Sequence, residues 1–286
     1  MDFFLQTLIS GVGLAALYLM LSVGLTLLFG VLGIVNFAHG DFMTVAAYFG
    51  VATLGILGDG PIRTLLFMIP LLVLLGGISY FSIFSHLDEN NHAPQILATF
   101  GMALIIRGVI QMIWGNTPVT IARTGGAYYW GNLVIPHDTV RNCLVAAVSV
   151  LLLWLILTRT RIGLEIQATS MDSVGAELIG INTRKIRLVG TLLASGMTAV
   201  GGLLLFTSRV LTPFTGFSLV LIAFAVVIVG GMGSVSGTVV ASFALGTLVA
   251  LVGAYAGSAY APLVLFLSII AVLLARPTGL AGAPAS

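Results

Sequence analysis

The segment RTRIGLEIQATSMDSVGAELIGINTRKIR (Arg159–Arg187) interrupts a chain that is otherwise close to hydrocarbon. Arg159, Arg161, Glu165, Asp172, Glu177, Arg184, Lys185 and Arg187 crowd into it, although only 7% of the sequence is charged and 59% is hydrophobic. Five of the eleven basic residues lie here. Basic residues collect in the cytoplasmic loops of membrane proteins, so the segment is expected to face the cytoplasm. A long, polar, helix-forming loop in that position reads as a docking surface.

Working outward, the rest of the chain belongs in lipid. Its mean hydropathy is +1.16, whereas charged residues make up about a quarter of an ordinary soluble domain. The first apolar run, Thr7 to Gly33, is too long for the core of a signal peptide and no basic residue precedes it, so it reads as a retained span. A net charge of +2 reflects loop asymmetry and gives no reason to expect a nucleic-acid partner. Cys143 is the single cysteine, which excludes an intrachain disulfide and a cysteine metal cluster; no metal site is expected.

A spanning helix takes about 20 mostly apolar residues. Candidate helices are 7–33, 41–57, 64–84, 95–114, 141–158, 187–206, 217–232, 236–256 and 261–275. The runs 41–57 and 217–232 are short and bounded by glycine turns, so either can be re-entrant or broken, a form tolerated only inside protein or along a cavity. The expected fold is all-α: a polytopic integral membrane protein of about eight transmembrane helices, give or take one. The whole of 1–286 reads as one transmembrane domain with a cytoplasmic loop at about 159–187. Segment 115–140 then lies outside, His86 to His92 forms a cytoplasmic turn, and Arg276 returns to the cytoplasm. The N-terminus is outside if 41–57 crosses and inside if it does not. Glycine pairs such as Gly76-Gly77, Gly201-Gly202 and Gly230-Gly231 suit close helix packing in lipid. Runs beginning at Gly30 and Gly230 both set a glycine-punctuated break before a small-residue helix, the pattern of paired interrupted segments at a transporter's centre.

Three places carry polar chemistry. In Asn36-Phe37-Ala38-His39-Gly40-Asp41, the apolar run from Leu5 to Leu57 is broken by Asn36, His39, Gly40 and Asp41. Gly40 permits a turn and Asp41 is expected to cap the following helix through its free N–H groups; a pathway or gating role is compatible, because ionisable groups at membrane depth face a cavity or a partner. In the fourth run Arg107 and Gln111 share a face, and Arg107 can snorkel, pair with an acid such as Asp41, or hold a substrate carboxylate. In the cytoplasmic loop, Met171, Val174, Leu178 and Ile181 recur at helical spacing, which predicts one amphipathic helix ended by Gly180, with Asn182-Thr183 as the turn before the next span. Arg161 and Glu165 are spaced to pair across a turn. The polar face is acidic until Arg184, which suits a protein groove better than a lipid surface.

The motifs that are missing narrow the function. The sole lysine, Lys185, sits in no phosphate-binding loop, so the chain has no Walker A site. It carries no His-Glu-x-x-His motif and no Gly-x-Ser-x-Gly elbow. It also lacks the row of intramembrane carboxylates of a proton-driven carrier. No enzymatic activity and no bound cofactor are expected, and unless transport is passive its energy comes from another protein.

GLTLLFGVLGIVNFAHGDFMTVAAYFG (Gly24–Gly50) closely resembles the signature of branched-chain amino acid ABC permeases, in particular the shorter (H-type) of their two permease subunits. GLEIQATSMDSVGAELIGINTRKIR (Gly163–Arg187) is similar to the family's ATPase-coupling loop, with Ala168, Asp172, Ala176, Gly180, Ile181 and Asn182 matching its pattern and Glu165 and Glu177 on its acidic side. VIVGGMGSVSGTVVASFALG (Val227–Gly246) and RPTGL (Arg276–Leu280) resemble the closing segments. Leu164-Glu165 departs from the more basic or small pair expected there. The resemblance implies a bacterial or archaeal inner-membrane importer: this chain, a second permease subunit, two cytoplasmic ABC ATPases that use ATP with Mg, and a periplasmic substrate-binding protein. It implies branched-chain amino acids as substrate. Urea or a short amide is the alternative within the family, and a self-contained channel for small neutral solutes the alternative outside it.

Overall fold

The computed structural model describes residues 2–57, 60–87, 91–120 and 126–281. Eleven α-helices run in chain order as α1 (Asp2–Leu32), α2 (His39–Leu57), α3 (Leu65–Ser82), α4 (His92–Trp114), α5 (His137–Arg159), α6 (Arg161–Met171), α7 (Ser173–Leu178), α8 (Thr183–Ser208), α9 (Thr215–Gly230), α10 (Val235–Tyr255) and α11 (Ala261–Ala275). Among the described residues, seven helical segments are long and apolar enough to cross a membrane, those of α1, α3, α4, α5, α8, α10 and α11. The chain is an all-α polytopic membrane protein. Sequence periodicity missed one feature: Ala127–Trp130 (β1) and Leu133–Pro136 (β2) pair as an antiparallel hairpin between α4 and α5.

The hairpin marks one end of the bundle. The Gln6 side chain donates to Val134 O at 2.8 Å and accepts from Val134 N at 2.9 Å, which fixes the start of α1 there. The opposite, basic end carries α6 and α7, and the Tyr80 hydroxyl donates to Arg184 O at 2.8 Å, joining the end of α3 to the start of α8. The chain after α11 returns to this end, where Leu280 N and Ala281 N donate to Val229 O and Gly230 O. His86 lies here too; residues 88–90 of the His86–His92 turn fall outside the described residues.

Among the long apolar helices α1 and α8 lie deepest, with 78% and 67% of their most apolar windows buried, and the first half of α2 is buried with them. Small residues make this possible, because helices in lipid associate through close backbone contact and polar links. A Cβ added to Gly76 would overlap the Ser195 hydroxyl, and one on Gly202 would overlap Ala46. Thr26 and Thr238 join α1 to α10 by a buried 2.7 Å hydroxyl–hydroxyl bond.

α2 and α9 do not behave like the rest. α1 is 31 residues long, about 46 Å at 1.5 Å per residue, and ends at Gly33, whose φ of +65° turns the chain. Residues 33–38 then climb back along α1 by about 16 Å, eleven helical residues' rise, because His39 Nε2 meets Leu21 O at 2.9 Å. α2 therefore starts in the interior and runs beside α8 towards the hairpin end, with Gly50 against Phe206. α9 also starts in the interior and runs to the basic end. At 16 residues it spans about 24 Å, short of a bilayer's ~30 Å. The broken forms allowed for 41–57 and 217–232 are thus present in both. The glycine breaks at Gly30 and Gly233 do touch, a Cβ on Gly30 lying 3.3 Å from Gly233 Cα. That contact is at the basic end, however, and the segment that mirrors the Asn36–Asp41 break is 209–216, which the sequence echo did not pick out.

Candidate functional site

The N-termini of α2 and α9 meet head to head inside the protein. A Cβ on Gly40 would overlap the Gly216 carbonyl oxygen, and one on Gly216 would lie 2.5 Å from Asp41 Oδ1. Only glycine at both positions lets the two ends approach this closely. Two helix N-termini bring two partial positive charges together, and the Asp41 carboxylate stands at the junction.

Asp41 is fully buried and Arg107 is 8% exposed. Arg107 Nε donates to Asp41 Oδ1 at 2.8 Å and its second guanidinium nitrogen to Oδ2 at 2.9 Å, a bidentate pair between α4 and α2. The Phe217 ring, from the first turn of α9, covers the guanidinium with its centroid 5.2 Å from Cζ. Of the roles open to Arg107, the structure has it paired with Asp41. The expected capping role of Asp41 is corrected: α2 begins two residues earlier, at His39, and the carboxylate is taken up by Arg107. The turn is made instead by Asn36, whose Oδ1 accepts from Ala38 N at 3.0 Å. Gln111 lies one turn beyond Arg107 on α4, half-buried, and does not join the pair.

Two residues that sequence reasoning passed over hold this break in place. Val35 N donates to Gln95 Oε1 at 3.2 Å and Phe37 N to Thr99 Oγ1 at 3.2 Å, so α4 satisfies the backbone of the extended segment. Gln95, Thr99, Ala103 and Arg107 recur every fourth residue and all are buried. That polar stripe on an apolar helix was legible and pointed to this contact. Free space beside Asn36 and His39 is about 10 Å³, at the lower limit for one water; at the junction itself Asp41 is fully buried and the Gly40 and Gly216 backbones leave no room for a methyl group.

The basic-end loop departs from the single helix predicted over it. It forms two helices, α6 and α7, hinged at Asp172. Asp172 Oδ1 accepts from Val174 N and Gly175 N, both at 3.0 Å, and so caps α7. A residue that caps cannot also continue a helix, and this splits Met171 from Val174. Ala168 O accepts the Asp172 N–H at 3.1 Å, closing α6. Gly180, at φ +89°, ends α7 as expected; Ile181 N donates to Ala176 O and Gly180 N to Glu177 O, both at 3.0 Å. Ala176 is buried, Ile181 packs against the main core, and Asn182 caps α8 by accepting from Lys185 N at 3.0 Å. Glu177 accepts from the Thr183 hydroxyl and ties α7 to α8. Glu165 is half-buried, and among the described residues it forms no ion pair with Arg161. Met171, Val174, Leu178 and Ile179 stand 88%, 67%, 84% and 75% exposed, an apolar patch on a charged loop.

A buried junction between two helices that begin inside the bundle, with an exposed apolar patch at the basic end, suits a membrane transport subunit. The chain belongs to the branched-chain amino acid transport system / permease component family, whose sequence profile matches residues 7–273. It is 26% identical to the high-affinity branched-chain amino acid transport system permease protein LivH of Escherichia coli K12, over 99% of this chain and 96% of the relative. The corresponding BraD of Pseudomonas aeruginosa is 25% identical over 98% and 96%, and the probable LivH of Methanocaldococcus jannaschii 27% over 93% and 89%. No solved structure matches.

Proposed function

We propose that this chain is a permease subunit of an ATP-driven importer that carries branched-chain amino acids across the cytoplasmic membrane of a bacterium or archaeon. The observation that carries the reading is likeness along nearly the whole chain to relatives named for that transport. The basic end faces the cytoplasm, since Arg159, Arg161, Arg184, Lys185, Arg187 and Arg276 collect there. The patch on α6 and α7 docks one of two ATPase subunits, which bind and hydrolyse ATP with Mg; this chain supplies no catalytic group of its own. A second permease subunit completes the pathway and a periplasmic binding protein delivers the solute. Movement of α7 reaches α8 through the Glu177–Thr183 bond, and α8 packs along α2. The buried junction at Asp41 lies at the far end of that chain of contacts and acts as the gate.

The test is uptake of labelled leucine, isoleucine and valine in a host lacking its own carriers, with all the partner genes expressed and this chain present or absent. Uptake that needs both this chain and active ATPases is the expected result. Uptake of urea or a short amide instead would assign the alternative substrate, and uptake without the ATPases would make the chain a channel.

A further inference from the structure

A cavity of about 790 Å³ opens between α1, α9, α10 and α11 in the half of the bundle nearer the hairpin. It falls within the size range of ligand pockets, about 300–1,000 Å³. Its wall is mainly apolar, with Leu14, Leu221, Ile222 and Leu265 beside Phe217 and Phe266, and the one cation among its lining residues is Arg209. Arg209 sits on the segment entering α9 and lines the cavity together with Tyr18. No ion pair joins it to an acid among the described residues. An exposed guanidinium above a mainly apolar wall suits a carboxylate on a branched hydrocarbon body, and Gln6, Thr7, Ser10 and Ser218 in the lining offer neutral acceptors for an ammonium. Phe217 lines this same cavity and covers Arg107 on the junction side. An occupant touching Phe217 is therefore one side chain away from the Asp41–Arg107 pair.

We infer that this cavity is the chamber that receives the amino acid from outside, with Arg209 taking its carboxylate and the α1–α9–α11 wall its side chain. The inference rests on the importer reading and adds the place where the solute meets this subunit. Phe217 then reports occupancy to the gate.

Two variants in the assembled complex test it, with uptake measured per ATP hydrolysed. Ser218→Trp, which places a large ring in the cavity, should cut that ratio at least tenfold. Arg209→Cys, made in a Cys143→Ser background, should do the same. Treating it with an aminoethyl thiosulfonate, which restores a positive charge, should recover uptake, whereas the neutral methyl reagent should not. Uptake within twofold of wild type for Ser218→Trp would overturn the chamber. Equal recovery with both reagents, or phospholipid bound to wild type and lost in Arg209→Cys while uptake persists, would overturn the carboxylate role. If wild type carries a solute other than branched-chain amino acids, the importer's substrate is wrong, and Ser218→Trp measured with that solute still decides whether the chamber is the route.

Discussion

At Asp41 and Arg107 the protein has placed a full ion pair away from solvent, with bidentate geometry and an aromatic cover. Removing charges from water is costly, and the attraction repays it only while both partners are present. Asp41→Asn should therefore destabilise the protein by about 3–5 kcal/mol, because it leaves Arg107 buried and uncompensated. Asp41→Ser should fail as well, although serine is a good cap, since capping is not the role of this carboxylate. The double variant Asp41→Asn/Arg107→Gln should recover much of the loss. Thermal unfolding in detergent measures all three, and additive single effects would remove the pair from the account. Gly40 makes a neighbouring prediction. Gly40→Ala drives a methyl group into the Gly216 carbonyl, and overpacking of this kind costs about 1–3 kcal/mol.

At the scale of elements, the short helices carry the functional argument. α7 has six residues and cannot persist alone; it is held by Asp172 at its start, Gly180 at its end and the Glu177–Thr183 bond to α8. Asp172→Ala should loosen it by about 0.5–2 kcal/mol, while Asp172→Ser should retain it. Asp172→Lys with Glu177→Lys should insert normally yet co-purify less ATPase and uncouple transport. Unchanged co-purification and uptake would move the docking surface elsewhere. The hairpin is a second short element with an anchoring task, tying Asp2 and Gln6 to the loop before α5.

Across the whole molecule, the two ends differ in charge, and this sets a prediction of orientation. A cysteine replacing Ser173 in a Cys143→Ser background should react with an impermeant thiol reagent only from the cytoplasmic side. Reaction from outside in intact cells would invert the assignment of both ends. With α1 starting at the hairpin and 33–57 returning towards it, the N-terminus lies at the end opposite the basic loop, so the same labelling decides its side, which the span count alone left open.

By itself the sequence determined the solvent and the helices. Lipid offers no partner to a backbone N–H or C=O, so every long apolar run had to become helix, and the cluster at Arg159–Arg187 had to stay in water. The helix end at Gly180 was equally legible, because a cap is a local feature; Asn182, read as a turn, proved to cap α8. Which helices lie inside was not. α11 and α1 are alike in hydropathy, 2.3 and 2.2, yet 6% of one window is buried and 78% of the other. Lipid and protein core are both apolar, so hydropathy cannot separate them. The break at Asp172 hid behind a helical spacing of apolar residues that a capped hinge also allows. The meeting of α2 with α9 and the reach of Arg107 to Asp41, 66 residues away, were decided only by the tertiary structure. Each depends on which glycines are brought face to face, and a glycine carries no sign in the sequence of the neighbour it makes room for.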